Sequence, residues 1–252
     1  MSLNESQDGV GVLAEIKRGN PWYLDSQFAW AENPSIKRIY DDRYNYFKAC
    51  LNRARQAKGG SVRVLDAGCG DGYWLVRLGE SPGICLTGID YNPVRVERAR
   101  KVAPKVSVRM GDLASLKSEE KFDVILFSQV LEHVPDDVAL LRLLHDLLNK
   151  DGMLILGTPN EGSWLHQKHI RRMRGAGQTD HVHFYTEVDI CSKIKQASFR
   201  VESVMREVFF IGNERLYYWL TARNIGYKFL KLMTAIWPRE CSDYYFECRR
   251  IG

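Results

Sequence analysis

Between residues 66 and 183 the chain places acids, glycines and histidines at the ends of apolar runs, where they could act on a ligand. Asp66 closes the run Val62–Leu65 and is followed by Gly68, Gly70 and Gly72. Asp90 closes ICLTGID and precedes Tyr91, Asn92 and Pro93. Asp112 and Leu113 follow Gly111, and Ser128 and Gln129 close FDVILF ahead of Glu132 and His133. His181 and His183 stand in DHVHFYT, residues 180–186. A strand that ends in a glycine turn and opens into a helix offers bare backbone and a helix N-terminus to a ligand. Carboxylates beside such a turn accept hydrogen bonds from hydroxyl and amino groups. Histidine titrates near neutral pH and suits proton transfer. One acid at a strand end is common by chance; several in register along one edge are harder to explain as surface decoration.

The elements that must position these residues follow a regular rhythm. A helix over 34–58 is expected from Tyr40, Tyr44, Phe47, Leu51 and Ala54 at spacings of three and four, ended by Gly59-Gly60. It follows a loose arm (1–20) and an aromatic stretch with Trp22 and Tyr23, and reads either as packing on the domain edge or as a lid. Strand 61–66, a helix from Gly72, strand 84–90, a helix capped by Asn92-Pro93, strand 106–110, strand 122–127, helix 137–148 and strand 153–157 come next. Residues 158–186 interrupt the rhythm and read as a polar, basic loop with Trp164, His166, Lys168, His169, Arg171, Arg172 and Arg174. A helix over 187–197, a strand over 199–208, an aromatic and basic helical segment over 213–237 interrupted at Gly226, and a strand over 243–249 complete the chain. Buried strands alternating with helices predict an α/β fold, a parallel sheet covered on both faces with ligands at the carboxyl ends of its strands. The expected division is an N-terminal arm and helical lid, 1–58, and one domain, 59–252, carrying a helical insertion near 209–240.

Composition excludes several classes. With 252 residues, 45% apolar and 27% charged, the chain has the makeup of a globular protein, and a net charge of +5 is only mildly basic. The six cysteines include no C-x-x-C pair, which argues for reduced thiols, against a zinc site and for a cytoplasmic setting. The polar N-terminus has no apolar core of a signal peptide, and no run of about 18 apolar residues is present to span a membrane.

A glycine turn with an acid about twenty residues on suits a dinucleotide or S-adenosylmethionine. The dinucleotide pattern asks for glycine at position 73; Tyr73 stands there and the third glycine is Gly72. On these motifs the sequence resembles class I S-adenosylmethionine-dependent methyltransferases, most strongly over residues 60–160. VLDAGCGDG (64–72) is similar to the family's first motif and GIDYNP (88–93) to its second, with Asp90 matching the acid that holds both ribose hydroxyls. GDL (111–113) resembles the third, where Asp112 would meet the adenine amino group and Leu113 would lie by the ring. FDVILFSQVLEHVPD (122–136) resembles the fourth, and LILGTPN (154–160) the fifth strand and its exit. The resemblance implies a Rossmann-like, doubly wound seven-stranded sheet, mostly parallel with the last strand antiparallel. It implies S-adenosyl-L-methionine as donor and S-adenosyl-L-homocysteine as product. The donor site would comprise Asp66, Gly68, Cys69, Gly70, Asp90, Tyr91, Asp112, Leu113, Ser128 and Gln129, with Asp66 acting through the amides of its turn and the Cys69 thiol passive.

SQVLEHVPD, TPN and DHVHFYT place the resemblance nearest the small-molecule branch, such as the ubiquinone-biosynthesis O-methyltransferases. Those enzymes carry E-x-x-E-H here, proposed as a divalent-metal site. This chain has Gln129 in place of the first acid, which lowers affinity for a hard cation, so no metal ligands are expected. Methyl transfer to oxygen needs alignment and a base. The candidates are His133, His181 and His183, the last two on one side if their stretch is extended. The partner expected is a small-molecule acceptor. A tRNA-modifying methyltransferase would need a larger basic face than 166–174 supplies, and a non-catalytic S-adenosylmethionine-binding protein is the other alternative. The 213–237 segment is a candidate for a pocket roof, a homodimer contact or a membrane-surface contact.

Overall fold

The computed structural model describes residues 26–116, 120–175 and 181–251, with the side chains of 172–175 excepted. The arm, Trp22, Tyr23, Asp180 and the Arg172 and Arg174 side chains lie outside the described residues. In chain order the elements are α1 (Gln27–Ala31), α2 (Lys37–Lys58), β1 (Val62–Ala67), α3 (Tyr73–Gly79), β2 (Ile84–Asp90), α4 (Pro93–Val102), β3 (Ser107–Met110), β4 (Phe122–Ser128), α5 (Asp137–Leu147), β5 (Leu148–Pro159), α6 (Trp164–Gly175), α7 (Glu187–Gln196), β6 (Phe199–Arg206), α8 (Glu214–Thr221), α9 (Asn224–Ile236) and β7 (Asp243–Arg250).

The strands form one seven-stranded sheet in the order β3-β2-β1-β4-β5-β7-β6. β7 runs antiparallel to both β5 and β6; the other pairings are parallel. Strand order reverses at β1, which pairs with β2 on one side and β4 on the other, so a crevice opens beyond Asp66 and Ser128. Successive residues of the central strands serve opposite faces. Val64, Val124, Leu126 and Ile155 join the core under α2, α3 and α4; Leu65, Ile125, Phe127 and Leu156 join the core under α5 and α7. Each such apolar side chain contributes roughly 1.5–3 kcal/mol by leaving water.

Local chemistry sets the helix ends. Asn92 accepts the amides of Val94 and Arg95 ahead of Pro93, and Thr186 with Asp189 forms a capping box at α7. Gly59, at φ 70°, ends α2 in the left-handed region. α2 buries Phe47, Cys50 and Leu51 against the sheet, and Arg43 Nε and Nη2 donate to the Glu207 carboxylate at 2.5 and 3.0 Å.

Two expectations change. Residues 158–186 are not a continuous loop: α6 occupies 164–175, because Leu165, His166 and Ile170 make one inward face. The 213–237 segment does not break at Gly226. α8 and α9 meet at Ala222-Arg223, and Gly226 lies in the first turn of α9, where a Cβ would sit 2.5 Å from the Leu220 carbonyl oxygen. Among the described residues no helix is long and apolar enough to cross a membrane.

Candidate functional site

At the carboxyl end of β1 the turn is held from β2. The Gly68 and Cys69 amides donate to the Ile89 carbonyl at 2.8 and 3.0 Å, and the Gly70 amide donates to Asp90 Oδ2 at 2.9 Å. Asp90 Oδ1 accepts the Asn92 amide at 2.8 Å. Gly68 and Gly70 have φ of 80° and 53°, a region that suits glycine. Asp66 Oδ2 is buried without a hydrogen-bond partner, and no amide of the turn donates to it. Burial, with the charge of Asp90 beside it, raises its carboxyl to about 8. Asp90 is also raised by burial, and its two amide donors oppose the shift. The Cys69 thiol is buried and pushed up, first by burial and then by Asp66 and Asp90, so it stays protonated. Asp112 accepts the Ala114 amide at 2.9 Å, and Leu113 is partly buried beside it. Tyr91 is exposed.

The first helix reaches this turn. The Gln27 amide donates to Asp71 Oδ2 at 2.9 Å, and a Cβ on Gly70 would lie 3.2 Å from both Gln27 Oε1 and Arg95 Nη1. Gln27 Oε1 and Asp71 Oδ1 are buried without hydrogen-bond partners. Buried acceptors left unsatisfied cost about 1–3 kcal/mol each, a cost that a ligand donating to them removes.

A second polar cluster begins one contact away. A Cβ on Gly68 would meet Val130 Cγ2 at 2.5 Å, and Val130 precedes the short turn Leu131–His133. The Glu132 carbonyl accepts the amides of Val182 and His183 at 2.9 and 3.2 Å, which draws the 181–183 segment over this turn. Glu132, His133 and His181 each present a ligand-type atom within 4.8 Å of the others. The imidazoles of His133 and His181 meet edge to face at 4.6 Å, and His181 Nδ1 lies 2.6 Å from Glu161 Oε2. Burial raises Glu132 to about 7 against the pull of His133 and His181; its Oε1 is buried without a hydrogen-bond partner. One carboxylate and two imidazoles suit a borderline cation better than a hard one, so these three residues could hold a zinc-like ion.

His183 does not join them. The chain bends at Val182, so the two histidines part: His183 Nε2 donates to the Pro135 carbonyl at 3.1 Å and its ring stacks on Tyr185. Tyr185 is a packing residue whose hydroxyl donates to Asp137 Oδ2 at 2.7 Å. His166 lies flat on Phe210 at 3.9 Å with Nδ1 2.9 Å from Ser163 Oγ, and burial lowers it to about 3, with His169 adding to the effect. Ser128 Oγ is 3.1 Å from the Tyr245 hydroxyl, and Gln129, at φ 59°, donates from Nε2 to Asp243 Oδ1 at 3.2 Å.

The sheet, with its strand-order reversal above a glycine turn and its antiparallel last strand, is that of a known group of enzymes. The family model described as a methyltransferase domain matches residues 38–204. The chain belongs to the S-adenosylmethionine-dependent methyltransferases. Among curated relatives of this methyltransferase, the ubiquinone biosynthesis O-methyltransferase of Haemophilus ducreyi is 31% identical over 144 residues, covering 52% of this chain and 58% of that protein. Its counterpart from Xanthomonas oryzae pv. oryzae is 29% identical over 177 residues, covering 64% and 70%. The match spans less than two thirds of the first of these relatives. Two solved methyltransferases share the fold. An N-methyltransferase of Bradyrhizobium japonicum in complex with S-adenosyl-L-homocysteine has a TM-score of 0.58 and 16% identity, covering 96% of this chain and 97% of its own. The 1,6-didemethyltoxoflavin-N1-methyltransferase of Burkholderia thailandensis has a TM-score of 0.58 and 17% identity, covering 100% and 93%.

Gln27 and Glu161 of this methyltransferase come to these clusters without having stood among the residues expected there. Glu161 directly follows the TPN stretch and could have been flagged as an acid at a strand exit. Nothing local marks Gln27, which meets the turn only through the fold.

Proposed function

We propose that this chain transfers a methyl group from S-adenosylmethionine to an oxygen of a small-molecule acceptor, with His181 as the base. When bound, the donor supplies a methyl group on a sulfonium, which departs as a neutral thioether. Asp90 has carboxylate lone pairs beyond those used by Gly70 and Asn92, and these suit the ribose hydroxyls. Asp66 Oδ2 and Gln27 Oε1, both unsatisfied and buried, suit the amino end of the donor. Asp112 and Leu113 suit the adenine.

The observation that carries the base assignment is the Glu161–His181 contact at 2.6 Å. A carboxylate on Nδ1 holds that proton in place and leaves Nε2 as the basic nitrogen, the division of labour by which an acid orients a catalytic histidine. His133 buttresses the His181 ring from its edge. The relatives named for ubiquinone biosynthesis are O-methyltransferases, which supports oxygen as the acceptor atom.

Calorimetry with the donor, followed by product detection over a panel of phenols, catechols, amines and tRNA, tests this reading. Turnover on hydroxylated acceptors that His181→Ala abolishes is the expected result. Product on amines or RNA alone moves the chain to another branch, and donor binding with no product on any acceptor makes it a non-catalytic binder. A chelator added to the same assay separates roles of the cluster: turnover persists if His181 acts as a base and is lost if Glu132, His133 and His181 hold a metal.

A further inference from the structure

α9 is apolar on both sides. At 100° per residue its buried Leu230 and Thr234 mark one face, and Ile225, Phe229, Leu232 and Ile236 fall in a stripe about 60° wide on the opposite face. Ile225 is 84% exposed and Leu232 60%. On α8, Leu216 and Trp219 extend the stripe, and between the helices lies a groove of about 670 Å³ lined by Trp219, Ile225 and Phe229 among others. A surface helix of a water-surrounded domain turns polar residues outward; this one does not.

The charges beside the stripe are mostly basic, with Glu214 at the start of α8 the exception. From Arg215 to Arg239 the chain has five basic residues and no acidic one. Lys231 is taken up by Asp42 at 2.8 Å. Lys228, one step around the helix from the stripe, and Arg223, which lines the groove with its guanidinium 3.9 Å over the Trp219 ring, are exposed. An aromatic ring at the apolar–polar boundary under a cation, beside an unpartnered aliphatic stripe, is the side-chain arrangement of a helix lying in a lipid headgroup layer. A self-complementary dimer interface of this kind would bring the cations of two copies together with few acids to meet them.

We infer that the α8–α9 hairpin is a docking surface for anionic bilayers, with Ile225, Phe229, Leu232 and Trp219 entering the acyl boundary and Arg223 and Lys228 meeting the headgroups. The inference does not depend on the acceptor assigned above. The test is co-sedimentation of the full chain with vesicles of phosphatidylcholine alone and of phosphatidylcholine and phosphatidylglycerol in equal parts. The expected result is binding to the anionic vesicles with a blue shift of tryptophan emission, weakened by salt. Ile225→Gln, Phe229→Gln and Leu232→Gln combined should lower the bound fraction about tenfold or more while circular dichroism and the melting profile stay as in the parent. Arg223→Glu with Lys228→Glu should lower it on anionic vesicles without touching the apolar stripe. The inference is overturned if the parent ignores both vesicles, if it binds the neutral ones equally well, or if the parent is a dimer that the triple variant turns into a monomer, which would assign the stripe to a second copy.

Discussion

The glycine turn and the histidine cluster sit on the same sheet edge but are built differently. The turn is held largely through backbone amides: Asp90 accepts those of Gly70 and Asn92, and Asp71 accepts that of Gln27. The cluster is made of side chains: His181 meets Glu161 and His133, and the Glu132 carbonyl ties down Val182 and His183. The first arrangement suits a ligand of fixed shape, met largely by backbone. The second assembles side chains from several segments and can change its ligand by changing one of them. The two regions meet where Val130 fills the space beside Gly68.

If donor and acceptor functions divide along that line, substitutions should separate them. The largest effect is expected for His181→Ala, with turnover down about 10²–10⁴-fold and the donor Kd within a few-fold of the parent. Glu161→Gln should fall between the two, because it removes the orienting charge but keeps the ring. Asp90→Ala should do the converse. Loss of a charged acceptor costs about 1.5–3 kcal/mol, so the donor Kd rises roughly ten- to hundredfold while turnover at saturating donor changes little. Steady-state kinetics paired with calorimetry reads both numbers. Equal losses in both numbers for either variant would break the comparison.

The same contrast explains what was legible in the sequence. Nearly every element over residues 62–159 follows from patterns contained within a few residues: alternating apolar runs, Asn92-Pro93, and glycines at 68, 70 and 72. The seven strands and the antiparallel last one follow from the resemblance that those motifs carry. The helix at 164–175 was obscured because one of its inward positions is His166, which reads as polar and is neutral in place on Phe210. The pairing of His133 with His181 depends on amides of 182 and 183 finding the Glu132 carbonyl, a tertiary event with no local signature. Parity along an assumed extended stretch therefore grouped His181 with His183, and the bend at Val182 separated them.

Within the turn, Asp66 offers a smaller effect with a clear sign. Its folded carboxyl stands near 8 against an ordinary value of 3.8, so the folded state without donor binds the proton more tightly than the unfolded one. The stability this contributes is complete below the unfolded value and is lost as pH rises through the folded one, by up to about 1.4 kcal/mol per pH unit inside that window. Asp66→Asn should flatten this dependence in denaturant titrations between the two values. A cationic amino group placed beside Asp66 favours the ionised form, so donor binding at neutral pH should release about one proton. Calorimetry in two buffers of different ionisation enthalpy would show it, and the release should be absent in Asp66→Asn. Identical proton release in parent and variant would remove Asp66 from the donor's amino end.

Gly226 gives the smallest effect, but one whose direction alone decides between two descriptions of the α8–α9 hairpin. If glycine merely interrupted a helical segment there, alanine would lengthen the helix and stabilise it by about 0.5–1 kcal/mol. In the structure Gly226 is already helical and is buried against the end of α8, where a Cβ would meet the Leu220 carbonyl oxygen at 2.5 Å and its Cα at 2.8 Å. Both atoms are backbone, so no rotamer change relieves the contact; the hairpin must open. Gly226→Ala should therefore destabilise, by about 1–3 kcal/mol as for other overpacked sites. Because α8 and α9 pack chiefly on Val208, Phe210 and Ile39, the donor Kd should stay that of the parent. A stabilised variant would mean that the two helices are not seated against each other as described. A destabilised one that also lost donor binding would mean that the hairpin and the turn fold as a single unit.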